Sequence, residues 1–147
     1  MNEYVVVDAS LAIKWVLKEP YVEQALALAE EWAAAAIRPA APCLLLVEAT
    51  NVLHRRMMLG HISLSQARQL LAGLLDIGIE IRESPQIHFR AMELAQELRR
   101  PAVYDTHYLA LADILGCELW TADKRFFNSV KGRQPRIRWL GEYKVRR

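Results

Sequence analysis

Cysteine is scarce in this chain, with two in 147 residues, Cys43 and Cys117. Both stand in apolar surroundings, which predicts buried free thiols and a reducing compartment, not a disulfide scaffold. There is no CxxC and no HExxH, and His54, His61, His88 and His107 fall at no ligand spacing, so a zinc site has no support. A Gly-rich phosphate loop and a GxSxG elbow are also missing, which removes P-loop and serine-hydrolase chemistry. No apolar run approaches the ~20 residues that a membrane span needs. No basic stretch precedes an apolar one at the start. A soluble, cytoplasmic protein is expected.

What is present is globular. Hydrophobic residues make up 53% and charged residues 24%. On length, residues 1–147 are expected to form one domain, which at this size buries roughly 70% of its unfolded surface. Net charge is only +2 but uneven. From Lys124 to Arg147 there are nine basic residues and one acid, Glu142; the rest of the chain holds ten basic residues and sixteen acids. A basic tail on an acidic body attracts polyanions or acidic partners, or is a solvated surface.

The opening is the most informative stretch. Tyr4-Val5-Val6-Val7 is a short, mostly β-branched run without alternation, the pattern of a strand buried on both faces of a parallel sheet. Asp8 then stands at its carboxyl end, where open α/β sheets place their sites. A short helix is expected over Leu11–Leu17 with Ser10 as its cap, and a long one over Tyr21–Ile37. Ile37 to Ala40 reads as a weak edge strand that tolerates Pro39. Helices are expected over Cys43–Leu59, ended by Gly60, and from Ser63 to about Asp76. A strand follows at Ile79–Arg82, then helices from Ser84-Pro85 to about Arg99 and from Val103 to Leu115. Glu118–Thr121 is a strand, Asp123 to about Val130 a short helix, and Pro135–Leu140 a last strand. Strands alternating with helices imply a parallel sheet covered on both faces.

Asp8, Glu48, Asp105 and Asp123 are the acids of interest. Each taken singly has an ordinary explanation. Asp8 and Asp123 fit helix caps, and Glu48 fits a polar stripe with Asn51 and Arg55. Asp105 fits the first turn of its helix, although Tyr108, Leu109 and Ala112 place it beside a buried face. Taken together, strand ends and helix starts of this architecture gather along one sheet edge. Carboxylates brought close repel, and all-oxygen ligands favour Mg²⁺ or Mn²⁺ over zinc or copper. Such ions activate a water and stabilise a leaving oxygen, the requirements of phosphodiester hydrolysis.

Four segments in order then resemble PIN-domain proteins, in particular the VapC-type ribonuclease toxins of toxin–antitoxin pairs. They are Val7-Asp8-Ala9-Ser10 with Lys14-Trp15, Glu48-Ala-Thr-Asn51-Val-Leu, Tyr104-Asp105-Thr106-His107-Tyr108-Leu-Ala-Leu-Ala112, and Leu119-Trp-Thr121-Ala-Asp123. The resemblance implies a three-layer α/β/α sandwich with a central five-stranded parallel sheet of order 3-2-1-4-5. It implies a metal site of Asp8, Glu48, Asp105 and Asp123, with Ser10 and Thr121 as hydroxyls beside it and Asn51 supporting Glu48. It further implies single-stranded RNA as substrate, a cognate antitoxin as partner and a homodimer. The expected backbone-holding residues are Lys124, Arg125 and Arg133, and Trp15 and Tyr108 are expected in the core. A binding module of the same fold, without turnover, is the competing expectation.

Overall fold

The computed structural model describes residues 2–146. Among them, five strands form one parallel sheet: β1 (Tyr4–Val7), β2 (Arg38–Pro42), β3 (Glu80–Arg82), β4 (Leu119–Thr121) and β5 (Ile137–Trp139). Their spatial order is β3-β2-β1-β4-β5, the order 3-2-1-4-5 that the resemblance implies. The helices are α1 (Ala9–Ala12), α2 (Val22–Ala34), α3 (Leu44–Met58), α4 (Leu64–Asp76), α5 (Pro85–Glu97), α6 (Tyr104–Leu115) and α7 (Lys124–Val130). They cover both faces of the sheet in an α/β/α sandwich.

β1 is central because, after Tyr4, its side chains are all apolar. Val5, Val6 and Val7 are at most 3% accessible, and each such side chain contributes roughly 1.5–3 kcal/mol on burial. β1 pairs with β2 on one side and β4 on the other. That brings the ends of β1 and β4 together, and with them Asp8 and Thr121. Helix α6 is deeply buried, with Thr106 and every residue from Tyr108 to Ala112 inaccessible to solvent or nearly so. It packs across β1, β2 and β4 and so fixes Asp105 over the same edge.

Helix ends follow local chemistry. Ser63 and Gln66 form a reciprocal capping box at the start of α4, with Gln66 N–H to Ser63 Oγ at 3.1 Å and Ser63 N–H to Gln66 Oε1 at 2.8 Å. Gly60 (φ 78°) and Gly116 (φ 65°) turn the chain out of α3 and α6 in the left-handed region. There the following amides close on Arg56 and Ala112 carbonyls, at 2.9 and 3.0 Å.

Three sequence expectations are corrected. β2 is not an edge strand: it lies between β1 and β3. Pro39 is tolerated for a different reason. The Arg38 N–H bonds to Glu3 on the β1 side, so Pro39 faces the other way, where β3 has not yet begun; the β2–β3 register opens at Ala40. The cap of the first helix is Asp8, whose Oδ1 accepts from Leu11 N–H at 3.1 Å; Ser10 lies inside that helix. Cys43 is exposed at the entrance to α3, and only Cys117 is a buried thiol. Trp15 is half-buried, its Nε1 donating to the Ala25 carbonyl at 2.8 Å and its ring edge-on to Trp32. No described helix is long and apolar enough to cross a membrane.

Candidate active site

Asp8 is the buried acid of the site, 6% accessible. Its Oδ1 accepts from Ser10 Oγ at 2.7 Å as well as from Leu11 N–H, and its Oδ2 accepts from Thr121 Oγ1. Ser10 and Thr121 are themselves 3.3 Å apart, and their oxygens accept from the amides of Ala122 and Asp123, each at 3.0 Å. The end of β4 is thereby tied to the end of β1. Burial pushes the Asp8 carboxyl up to about 6; the hydroxyl and amide donors hold it back, and the charge of Asp105 adds to the rise.

Glu48 stands in the second turn of α3, half-buried. It takes a hydrogen bond from the hydroxyl of Tyr108, a side chain 1% accessible in α6. Burial raises its carboxyl, the Tyr108 bond lowers it, the charge of Asp105 raises it again, and His107 opposes. The same contact, after burial, holds the Tyr108 phenol far above its usual range. Asn51 is exposed and Arg55 is exposed; the hydrogen bond to Glu48 comes from across the core and not from its own helix.

Asp105 occupies the first turn of α6 and is also raised, by burial first. The Arg100 guanidinium, 3.3 Å away, opposes this, and the charge of Asp123 reinforces it. Asp123 caps α7 through Oδ1 and the Phe126 N–H at 3.1 Å, and is exposed. The cap explanations for Asp8 and Asp123 are therefore true, and do not exclude a second role. Asp105 is the hub: its charge bears on Asp8 and Glu48, and Asp123 bears on it.

The donors are carboxylate and hydroxyl oxygens carrying excess negative charge, which suits a hard divalent cation. Among the described residues, however, no three acids, histidines or cysteines lie together as a preformed ion cage. Each acid is instead engaged by a donor from the chain: Asp8 by Ser10 and Thr121, Glu48 by Tyr108, Asp105 by Arg100, and Asp123 by an amide. The chemistry of the set fits an ion, which would enter in competition with those donors.

The family model of the PIN domain matches residues 5–132. The chain belongs to the PIN-domain family. Among solved structures, this PIN domain is similar to a crystal structure from Pyrobaculum aerophilum, at 25% identity over 89% of this chain and 81% of that one, TM-score 0.65. It shares the fold of a toxin–antitoxin complex from Klebsiella pneumoniae, at 20% identity over 96% and 99% of the two chains, TM-score 0.63. It also shares the fold of VapBC-1 from nontypeable Haemophilus influenzae, at 16% identity over 95% and 99%, TM-score 0.63. No curated protein matches the chain.

Two features of this PIN domain were not singled out from sequence as site residues. Tyr108 was expected in the core, where it is, but its hydroxyl reaches Glu48; its place one turn after Asp105 on the same face was the available signal. The histidines are not all isolated. His88 Nδ1 and His107 Nε2 are 3.0 Å apart, His88 Nε2 meets Glu83 at 2.8 Å, and His107 Nδ1 donates to the Val103 carbonyl at 2.6 Å. They line a pocket of about 270 Å³ between the starts of α3, α5 and α6.

Proposed function

We propose that this PIN domain, acting as one unit over residues 1–147, is a metal-dependent endoribonuclease toxin neutralised by a cognate antitoxin. What supports the reading is that the acids feel one another's charge: Asp105 raises the carboxyls of Asp8 and Glu48, and Asp123 raises that of Asp105. Asp8, Glu48, Asp105 and Asp123 would hold Mg²⁺ or Mn²⁺, with Ser10 and Thr121 beside them. When bound, the ion supplies an activated water and stabilises the leaving oxygen of a phosphodiester. The chain's own residues orient the acids. Ser10 and Thr121 fix both oxygens of Asp8, Tyr108 fixes Glu48, and the α7 cap fixes Asp123. The expected products from single-stranded RNA are a 5′-phosphate and a 3′-hydroxyl. The sequence assigns no protein nucleophile.

Likeness in fold to a toxin–antitoxin complex and to VapBC-1 supports the toxin reading. The antitoxin is assigned to α3 and α4. Between them runs an apolar groove lined by Leu53, Met57, Leu64 and Leu71, and Met58 and Leu75 are exposed nearby. A homodimer in the cytoplasm completes the proposal. The competing reading is a PIN-fold binding module, favoured by the fact that every acid already holds a donor.

The test is cleavage of a labelled single-stranded RNA pool by purified protein with Mn²⁺, Mg²⁺ or chelator, beside Asp105→Asn. Metal-dependent cutting that Asp105→Asn abolishes supports the nuclease. No cutting, together with no Mn²⁺-induced gain in melting temperature, supports the binding module; an ion at about 100 times its dissociation constant adds ~2.7 kcal/mol.

A further inference from the structure

Asp105 is the acid whose charge bears on both Asp8 and Glu48, and it is the one paired with a permanent positive charge. Among the described residues, Arg100 is the lysine or arginine that forms an ion pair with any of the four acids: Nη2 lies 3.3 Å from Asp105 Oδ2. The guanidinium is not a loose surface group. Its Nη1 donates to Ser129 Oγ at 2.9 Å, and its carbon lies 5.8 Å from the centre of the Phe126 ring, both in α7. The Arg100 side chain is 24% accessible.

The backbone is committed to this placement. After α5 the chain turns through Arg99 at φ 53°, a left-handed conformation that an L side chain adopts at a cost of ~1–2 kcal/mol. The Arg100 amide then closes on the Ala95 carbonyl at 2.8 Å. Arg100 is thereby fixed at the helix end, facing the first turn of α6.

We infer that Arg100 is a resident counter-cation of the acid site, whose guanidinium holds the place beside Asp105 that a divalent ion must take over. The inference rests on the metal-site reading above and adds to it a residue that sets the ion's affinity. A guanidinium and a divalent ion repel, and Asp105 cannot serve both with the same oxygen. Arg100 therefore offsets the mutual repulsion of the acids in the ion-free site, and lowers affinity for the ion in doing so. Ser129 and Phe126 keep the displaced guanidinium near the site.

The experiment is calorimetric titration of Mn²⁺ into metal-free wild type, Arg100→Gln, Arg100→Lys, Ser129→Ala and Asp105→Asn. Circular dichroism confirms that each is folded. Arg100→Gln is expected to bind Mn²⁺ about twofold to fivefold tighter than wild type, the size of one partly exposed ion pair. Ser129→Ala, which frees the guanidinium, moves in the same direction by less. Arg100→Lys, which keeps the charge, stays close to wild type, and Asp105→Asn binds more weakly. Binding to Arg100→Gln that equals or falls below wild type overturns the inference while leaving the metal site standing. If neither wild type nor any variant binds Mn²⁺, the metal-site reading fails and the inference with it. Binding that appears only when Arg100 is replaced supports both.

Discussion

The hydroxyl of Tyr108 in α6 donates to Oε1 of Glu48 in α3, across 60 positions of sequence. The phenol is buried and the carboxyl half-buried, so neither partner has full access to water in exchange. Replacing Tyr108 by Phe keeps the ring and removes only the donor. A bond to a charged acceptor of this kind contributes about 1.5–3 kcal/mol, and urea unfolding of Tyr108→Phe at neutral pH is expected to register a loss in that range. Glu48 should also become easier to protonate, and Mn²⁺ affinity should fall. A variant as stable as wild type would show the contact to be idle.

Asp8 sets a pH dependence. In the unfolded chain its carboxyl loses its proton near the ordinary value of 3.8; in the folded protein burial delays this to about 6. Between those values the folded state holds more protons than the unfolded state, so stability falls as pH rises from about 4 to 6 and stays lower above. The difference of roughly two pH units is on the order of 3 kcal/mol. In chelator, Asp8→Asn is expected to be more stable than wild type at pH 7.5 and flatter across that interval, measured by urea melts at successive pH values. An Asn variant less stable than wild type at pH 7.5 would falsify this account of Asp8.

Lys124 and Arg125 begin α7 immediately after Asp123, both exposed, with Lys124 Nζ 4.9 Å from the centre of the Trp139 ring. If they hold RNA phosphates, Arg125→Ala lowers affinity for every single-stranded sequence alike. It also reduces the log–log salt slope by about 0.7. Arg38→Ala, at the amino end of β2 and so at the opposite end of the strands, serves as the comparison and should leave the slope unchanged. Fluorescence anisotropy across a salt series in chelator reads both.

The Ser63–Gln66 capping box stands far in sequence from the acids and bears only on α4. Ser63→Ala is expected to cost about 1 kcal/mol, a drop of about 2–4 °C in melting temperature for a chain of this size. Mn²⁺ affinity should not change. A shift in affinity would mean that α4 reaches the site.

Nearly every element was legible because each carries a local signal, whereas the strand order came from the resemblance to PIN-domain proteins. Val5 to Val7 announce a buried strand, Ser63 and Gln66 a helix start, and Gly60 and Gly116 helix ends. The acids were legible because strand ends and helix starts are also local features. What escaped were side-chain contacts between elements distant in sequence: Tyr108 with Glu48, Arg100 with Asp105, His88 with His107. Periodicity says which face a residue occupies but not whom it meets there. Pro39 misled for a related reason: it looks like an edge signal until the late start of β3 is known. Cys43 misled because it stands exposed at the N-cap of α3, although Ala41 and Leu45 on either side are buried.

Asp8 and Asp123 each hold up the start of a helix with the same carboxyl groups proposed for chemistry. This double duty constrains how a lineage of such proteins can drift. A descendant that no longer needs the chemistry still needs the caps, and Asn or Ser supplies a cap where Ala does not. Silent members are therefore expected to carry Asn or Ser at positions 8 and 123 within an otherwise intact fold. Glu48 and Asp105 cap nothing, and what constrains them is the buried Tyr108 hydroxyl and the Arg100 guanidinium, which a polar replacement can still satisfy. The order in which the acids are lost would then record which of them were ever structural.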